Sequence, residues 1–229
     1  MPGPLGRRPP SDWTHVDKYP LMASMVPAKP TPVVIGVNWY VEFDKPEKDD
    51  QGHSWIARDV KLTKVRGGHC VCLKPKGNDD PDAWWDFYNQ GEEGACVGFG
   101  ISRLTSQLNR KLYDGFWLYH EAQKVDEWPG EDYDGTSVRA ALDILRKVGH
   151  CVKDGTGPTA AAVLGEGIAA NRWARSVDDV LSVLGYDGLD FVDVLNSWGR
   201  GYPHLTRMPA KVLERLWKED GEVGIVTDR

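Results

Sequence analysis

Short runs of β-branched and aromatic residues alternate along the chain with stretches in which apolar residues recur every three or four positions. The run at 32–40, Pro-Val-Val-Ile-Gly-Val-Asn-Trp-Tyr, has the composition of a buried strand. We expect further strands at 53–57, 67–73, 189–195 and 222–227. The predicted strands therefore lie towards the two ends of the chain.

The helical period is clearest after Cys96, where Val97, Ile101, Leu104 and Leu108 follow one another at steps of three or four. A helix is therefore expected to begin at Cys96. Further helices are predicted at 117–128 with Tyr119, Ala122 and Val125 as a buried stripe, at 137–148 with Thr136 as N-cap, at 176–184 with Ser176 as N-cap, and at 210–218.

The predicted strand at 67–73 carries three side chains that could bind a metal. Successive strand residues face opposite ways, so His69 points away from Cys70 and Cys72. A zinc site that uses all three is disfavoured, and no second ligand pair has a finger-like spacing. We expect no metal and no other cofactor. Taken alone, His69 is also compatible with an ordinary half-buried strand histidine.

Length and composition describe a folded globular chain. Its 229 residues fit one domain, or two apposed lobes around one cleft. A hydrophobic content of 41% and ten tryptophans provide for a core. The net charge of −6 gives no basic patch, which argues against a nucleic-acid partner.

The longest apolar runs fall far short of the roughly 20 residues that span a bilayer, so no membrane segment is expected. The N-terminus lacks the apolar core of a secretory signal, which predicts a cytoplasmic location with the four cysteines as free thiols. Residues 1–31 are rich in proline and are interpreted as an extended lead.

The stretch from Gln90 to Gly100 places Cys96 where a glycine-rich loop meets the helix. The partial positive charge of a helix N-terminus favours a thiolate and lowers the pKa of the thiol. Gln90, six residues upstream, can offer its side-chain amide to a developing oxyanion. The simpler alternative is a buried, unreactive cysteine in a helix.

This arrangement resembles the active-site segment of papain-like cysteine peptidases, although Val97 stands where the family pattern has tryptophan. The tetrapeptide Asn-Ser-Trp-Gly at 196–199 resembles a second motif of that family. The resemblance implies that Asn196 orients a catalytic histidine and that Trp198 covers their hydrogen bond. It is greatest for bacterial or phage-encoded members of the family.

The position of the histidine departs from the family order of cysteine, histidine, asparagine. Between Cys96 and Asn196 the chain has only His120 and His150, and Asp179 stands where the histidine would align. An aspartate cannot serve as the imidazolium partner of a thiolate. Residues 32–73, however, resemble the family's histidine-bearing pair of strands, which ends in a segment like Gly-Gly-His-Ala-Val. A circular permutation would make His69 the catalytic histidine; the alternative is an inactive enzyme.

The resemblance implies an α+β, papain-like fold with the active site in a cleft between a helical lobe and an antiparallel β lobe. We expect a single catalytic domain at 32–229, with a β lobe from 32–75 and 185–229 and a helical lobe from 83–184. The implied activity is hydrolysis of a peptide or protein substrate by Cys96, His69 and Asn196, with Gln90 in the oxyanion hole. The alternative function is that of an inactive papain-fold protein that binds a partner or builds an assembly.

Overall fold

The computed structural model describes residues 29–77, 88–128, 134–153 and 167–227. Nearly all of the proline-rich lead therefore lies outside the described residues. The strands in this part of the chain are β1 (Val33–Tyr40), β2 (Glu47–Lys48), β3 (Ser54–Trp55), β4 (Val65–Lys74), β5 (Ala170–Trp173), β6 (Phe191–Leu195), β7 (Leu205–Pro209) and β8 (Glu222–Thr227). The α-helices are α1 (Cys96–Asn109), α2 (Gly115–Gln123), α3 (Val138–Lys147), α4 (Val177–Leu184) and α5 (Ala210–Lys218).

All eight strands belong to one sheet with the order β2-β3-β7-β6-β4-β1-β8-β5. Its pairs are antiparallel except for the short parallel contact of β3 with β7. The N-terminal strands β1 and β4 are central, and they are flanked by the C-terminal strands β6 and β8. The sheet thus joins the two ends of the chain, as an α+β fold with a mainly antiparallel sheet.

Hydrophobic cores cover both faces of this sheet. Strand β4 contributes to both, because Val71 and Leu73 pack into the core with α4 and α5, while Cys70 and Cys72 pack into the core with α1, α2 and α3. The alternation predicted from the sequence is therefore confirmed. Residues on the two sides of β4 face different helical layers.

Two glycines allow α1 to approach its neighbours closely. An ideal Cβ at Gly100 would lie 3.0 Å from the Cys70 sulfur, so α1 rests almost directly on β4. At Gly98 an added Cβ would overlap the Gly115 carbonyl oxygen and lie 2.9 Å from Tyr119 Cβ on α2. The helix that begins at Cys96 is thereby held firmly against both the sheet and α2.

Two local expectations need correction. The cap of α3 is Ser137, whose hydroxyl accepts from the Ala140 N–H at 3.1 Å, because the Thr136 hydroxyl instead donates to Asp126 in the interior. Val125 is not part of a buried stripe: α2 ends at Gln123, and Val125 is 55% exposed.

The segment 170–184 associates with the sheet. Strand β5 pairs with β8, and α4 packs into the core shared with α5. Its cap agrees with the expectation, since the Ser176 hydroxyl accepts from the Asp179 N–H at 3.0 Å. Asp179 also forms an ion pair with Arg172 at 2.8 Å, so this aspartate holds α4 against β5.

The close contact at Gly98 predicts a large cost for a single methyl group. Gly98→Ala should lower the free energy of unfolding by about 1–3 kcal/mol, because α1 and α2 would have to separate. The measurement is urea denaturation followed by circular dichroism. Gly201→Ala, where an added Cβ meets nothing within 4 Å, is the matched control. Equal stabilities of the two variants would contradict the close packing of α1 on α2.

Candidate active site

Cys96 is the first residue of α1, as the sequence predicted, and it is 8% exposed. Burial raises the pKa of its thiol to about 11, although backbone N–H groups of Cys70, Val97 and Cys96 itself donate to the sulfur and act in the opposite direction. The helix that Cys96 begins rests on β4, because Gly100 of α1 lies against Cys70, the residue that follows His69.

His69 lies on β4 and is 2% exposed, and its Nε2 is 2.9 Å from Asn196 Oδ1. Asn196 Oδ1 also accepts the Ser197 N–H at 2.7 Å, which identifies this atom as the oxygen of the amide. Nε2 must therefore carry a hydrogen and donate it to Asn196. In the neutral imidazole the basic atom is then Nδ1, which is buried and has no hydrogen-bond partner in the described residues.

The meeting of His69 and Asn196 follows from the pairing of their strands. β4 and β6 are antiparallel with Cys72 opposite Leu195, and Asn196 directly follows β6. Residues separated by 127 positions in the chain thus meet through the register of two neighbouring strands. Both residues were predicted from the sequence as members of the site.

Two tryptophans enclose the His69 imidazole. The ring centroid of Trp198 lies 4.9 Å from that of His69 with the planes 33° apart, and Trp39 approaches edge-on at 4.7 Å. Burial lowers the pKa of His69 to about 4, while the hydrogen bond to Asn196 opposes this shift. The sequence predicted Trp39 only as a strand residue. In the structure it lies on β1 opposite Gly67 of β4, which is two residues before His69.

Gln90 connects the loop before α1 to the segment that holds Asn196. Its backbone N–H donates to the Ser197 carbonyl at 2.9 Å, and its side-chain oxygen accepts from the Ser197 hydroxyl at 3.2 Å. Nε2 donates one N–H to the Glu93 carbonyl at 3.0 Å. The second N–H of the same nitrogen has no partner among the described residues, and Gln90 is 2% exposed.

The two histidines between Cys96 and Asn196 lie elsewhere. His150 is fully buried, where its Nε2 is 2.8 Å from the Ser102 hydroxyl and its ring stacks on Tyr113 at 4.6 Å. His120 is exposed at the end of α2. Phe99 packs against Tyr88 and Phe116 in a separate apolar cluster, so it contributes to folding rather than to the surroundings of His69.

Within the described ranges, no cluster of three or more histidine, cysteine or acidic side chains could hold a metal ion. Within the same ranges, every helix is too short or too polar to cross a bilayer. All four cysteines are free and buried.

No family model matches the sequence, and no curated protein matches it. Among solved structures, this chain is similar to xylellain, a cysteine protease from Xylella fastidiosa, with 12% identity and a TM-score of 0.49 over 64% of this chain and 84% of that chain. It is also similar to a chain from a structure on antibody cross-reactivity between the mite allergens Blo t 1 and Der p 1. There the identity is 10% and the TM-score 0.48, over 81% of this chain and 76% of that chain. Both likenesses are distant, so the case for a function rests on the geometry of the site.

The buried histidines predict that acid destabilises the fold. Burial lowers the pKa of His150 to about 3 and that of His69 to about 4, whereas an unfolded histidine titrates near about 6.5. Below that pH the unfolded state binds protons that the folded state does not, so stability falls as the pH drops towards 4. Between pH 6.5 and 4 the free energy of unfolding of His150→Gln should fall by about 3 kcal/mol less than that of the wild type. Urea denaturation across this range tests it, and an equal loss in both proteins would contradict the burial of an uncharged His150.

Proposed function

We propose that this chain is a papain-like cysteine peptidase, in which Cys96 is the nucleophile, His69 the general base and Asn196 the residue that orients the base. The observation that carries the proposal is the hydrogen bond of 2.9 Å between His69 and Asn196, which leaves Nδ1 as the basic atom. Its support is the place of Cys96 at the start of α1, the helix that packs on β4 at Cys70, the residue after His69. The nucleophile, the base and the orienting amide belong to three separate segments of the chain.

In the proposed reaction, His69 Nδ1 takes the proton of the Cys96 thiol while the sulfur attacks the carbonyl carbon of a peptide bond. The resulting oxyanion accepts hydrogen bonds from the Cys96 backbone N–H and from the second N–H of the Gln90 amide. As the C–N bond breaks, Nδ1–H gives its proton to the leaving amine, and the acyl group remains on sulfur as a thioester. Water then attacks the thioester, transfers a proton to Nδ1, and the released thiolate recovers that proton.

The surrounding side chains suit this role for His69. Asn196 accepts the Nε2 hydrogen in both the neutral and the charged imidazole, so the ring keeps one orientation while Nδ1 gains and loses a proton. Trp198 and Trp39 keep water from this hydrogen bond. The pair of Gln90 hydrogen bonds to Ser197 ties the oxyanion donor to the same segment as Asn196.

We further propose that the chain is circularly permuted relative to the papain-like pattern and related to bacterial or phage-encoded members. Support comes from the sheet, in which the N-terminal strands β1 and β4 lie between the C-terminal strands β6 and β8. The proposed setting is the cytoplasm, consistent with four free cysteines. The proposed partner is a peptide or protein substrate.

A second candidate function is an inactive papain-fold protein that binds a partner or builds an assembly. The observation that favours it is the depth of the site, because Cys96 and His69 are both buried and burial alone keeps each of them neutral at pH 7. In such a protein the thiol would react as an isolated buried cysteine. The pH dependence of its alkylation separates the two functions.

The pH dependence of Cys96 alkylation tests the proposed base. A thiol beside a neutral imidazole holds the same number of protons as a thiolate beside an imidazolium, so the ratio of these two forms does not change with pH. The alkylation rate of Cys96 should therefore be independent of pH between the His69 pKa of about 4 and the Cys96 pKa of about 11. Alkylation of Cys96 by a small epoxide, followed by intact mass, should therefore be flat from pH 5 to pH 8 in the wild type. In His69→Ala it should rise by about tenfold per pH unit, because only the rare thiolate reacts.

His120→Ala, which changes an exposed histidine, is the matched control and should keep the flat profile. Cys96→Ser identifies the labelled residue. A wild-type rate that rises with pH as steeply as that of His69→Ala would exclude His69 as the base and favour the inactive protein.

The proposed oxyanion hole can be tested at Gln90. Gln90→Ala should lower kcat on a fluorogenic peptide library by about 10²–10³, because one donor to the oxyanion is removed. The epoxide reaction forms no oxyanion at a carbonyl, so the alkylation rate of Cys96 should remain close to that of the wild type. Gln51→Ala, at an exposed glutamine, is the control. Equal losses of turnover and of alkylation would instead assign Gln90 a purely structural role.

A further inference from the structure

Arg103 is a buried cation that the proposed peptidase mechanism does not use. It lies on α1, seven residues after Cys96, and only 1% of it is exposed. Its three guanidinium nitrogens, Nε, Nη1 and Nη2, are all buried without a hydrogen-bond acceptor in the described residues. A buried guanidinium normally has a carboxylate or several carbonyl oxygens around it.

The described groups around Arg103 are neutral or positive. Its guanidinium carbon lies 4.9 Å from the centre of the Tyr88 ring. Burial raises the pKa of Tyr88 and raises that of the nearby Cys72 thiol to about 12, so neither is an anion at pH 7. Burial also lowers the pKa of His204 to about 4, and the positive charges of Arg103 and Lys74 both add to that shift.

The fixed contacts of these neighbours leave them unable to neutralise Arg103. The Tyr88 hydroxyl donates to the Tyr113 carbonyl at 2.7 Å, and the Cys72 sulfur accepts from Gln107 Nε2 at 3.0 Å. The Tyr88 ring face offers a cation–π attraction of roughly 0.5–2 kcal/mol. Burying an uncompensated cation costs several kcal/mol even after relaxation, so the ring alone does not offset it.

We propose that Arg103 binds a small inorganic anion, with chloride as the abundant candidate, in the interior between α1 and the segment that carries Tyr88. The anion would accept hydrogen bonds from the guanidinium and balance its charge. Because Arg103 is 99% buried, a peptide carboxylate, which would bring its own chain with it, is excluded, and the proposed occupant is a small ion. The inference is independent of the peptidase proposal.

The site has a structural consequence for the loop before α1. Tyr88 is two residues before Gln90, and its hydroxyl contacts both the Tyr113 carbonyl and the Ser106 hydroxyl, at 3.1 Å for the latter. An anion that anchors Arg103 beneath the Tyr88 ring would therefore also hold the start of this loop against α1. Bound anion and folded loop should stabilise each other.

The test is the melting temperature of the wild-type chain at constant ionic strength, with sodium chloride exchanged stepwise for sodium gluconate, whose anion is too large for the site. We expect Tm to rise with the logarithm of the chloride concentration, by about 5 °C or more once chloride exceeds its dissociation constant about 100-fold. Arg103→Met should abolish the response. Its Tm without chloride should equal or exceed that of the wild type, because an unpaired buried charge has been removed.

Arg146→Met, at a half-exposed arginine that forms an ion pair with Asp143 on α3, is the matched control and should respond as the wild type does. A crystal soaked in sodium bromide gives a second readout, with an anomalous peak expected beside the Arg103 guanidinium. If Arg103→Met does not fold, the wild-type titration and the bromide peak still decide the question. A wild-type Tm that is independent of the anion, or the lack of an anomalous bromide peak beside the Arg103 guanidinium, would overturn the proposal.

Discussion

The antiparallel pairing of β4 with β6 is the constraint on which the rest of the site depends. It places His69 against Asn196, and it leaves Cys70 on the opposite face of β4, where α1 rests. β4 thus presents His69 to Asn196 and the tryptophans on one side, and it packs against α1 through Cys70 on the other. A shift of one residue in this register would reverse both sides of β4 and separate all three groups.

Local features of the site could be predicted from the sequence because each follows from its own neighbours. The start of α1 at Cys96 follows from the apolar period, and the orientation of Cys70 and Cys72 follows from strand alternation. Contacts between distant segments could not be predicted in this way. The sequence around Thr136 does not indicate that its hydroxyl donates to Asp126, which leaves Ser137 as the cap.

The same distinction applies to the environment of the candidate site. A helix N-terminus predicts a lowered pKa for the Cys96 thiol, and the backbone donors indeed act in that direction, but burial acts more strongly. Burial results from the packing of whole layers, which the sequence near Cys96 does not encode. The unpaired Arg103 was missed for a related reason, because an arginine in an amphipathic helix is ordinarily exposed.

The central position of β1 and β4 has a consequence for how the chain matures. A ribosome makes these two strands before their outer partners β6 and β8, which begin only at Phe191 and Glu222. A nascent chain that ends before Asn196 contains Cys96 and His69 but has open strand edges and lacks Asn196. Long-range pairing of this kind is slow, so the strands that follow position 190 complete the sheet and the candidate site together. Chain order thereby delays assembly of the site until β6 and β8 have been made.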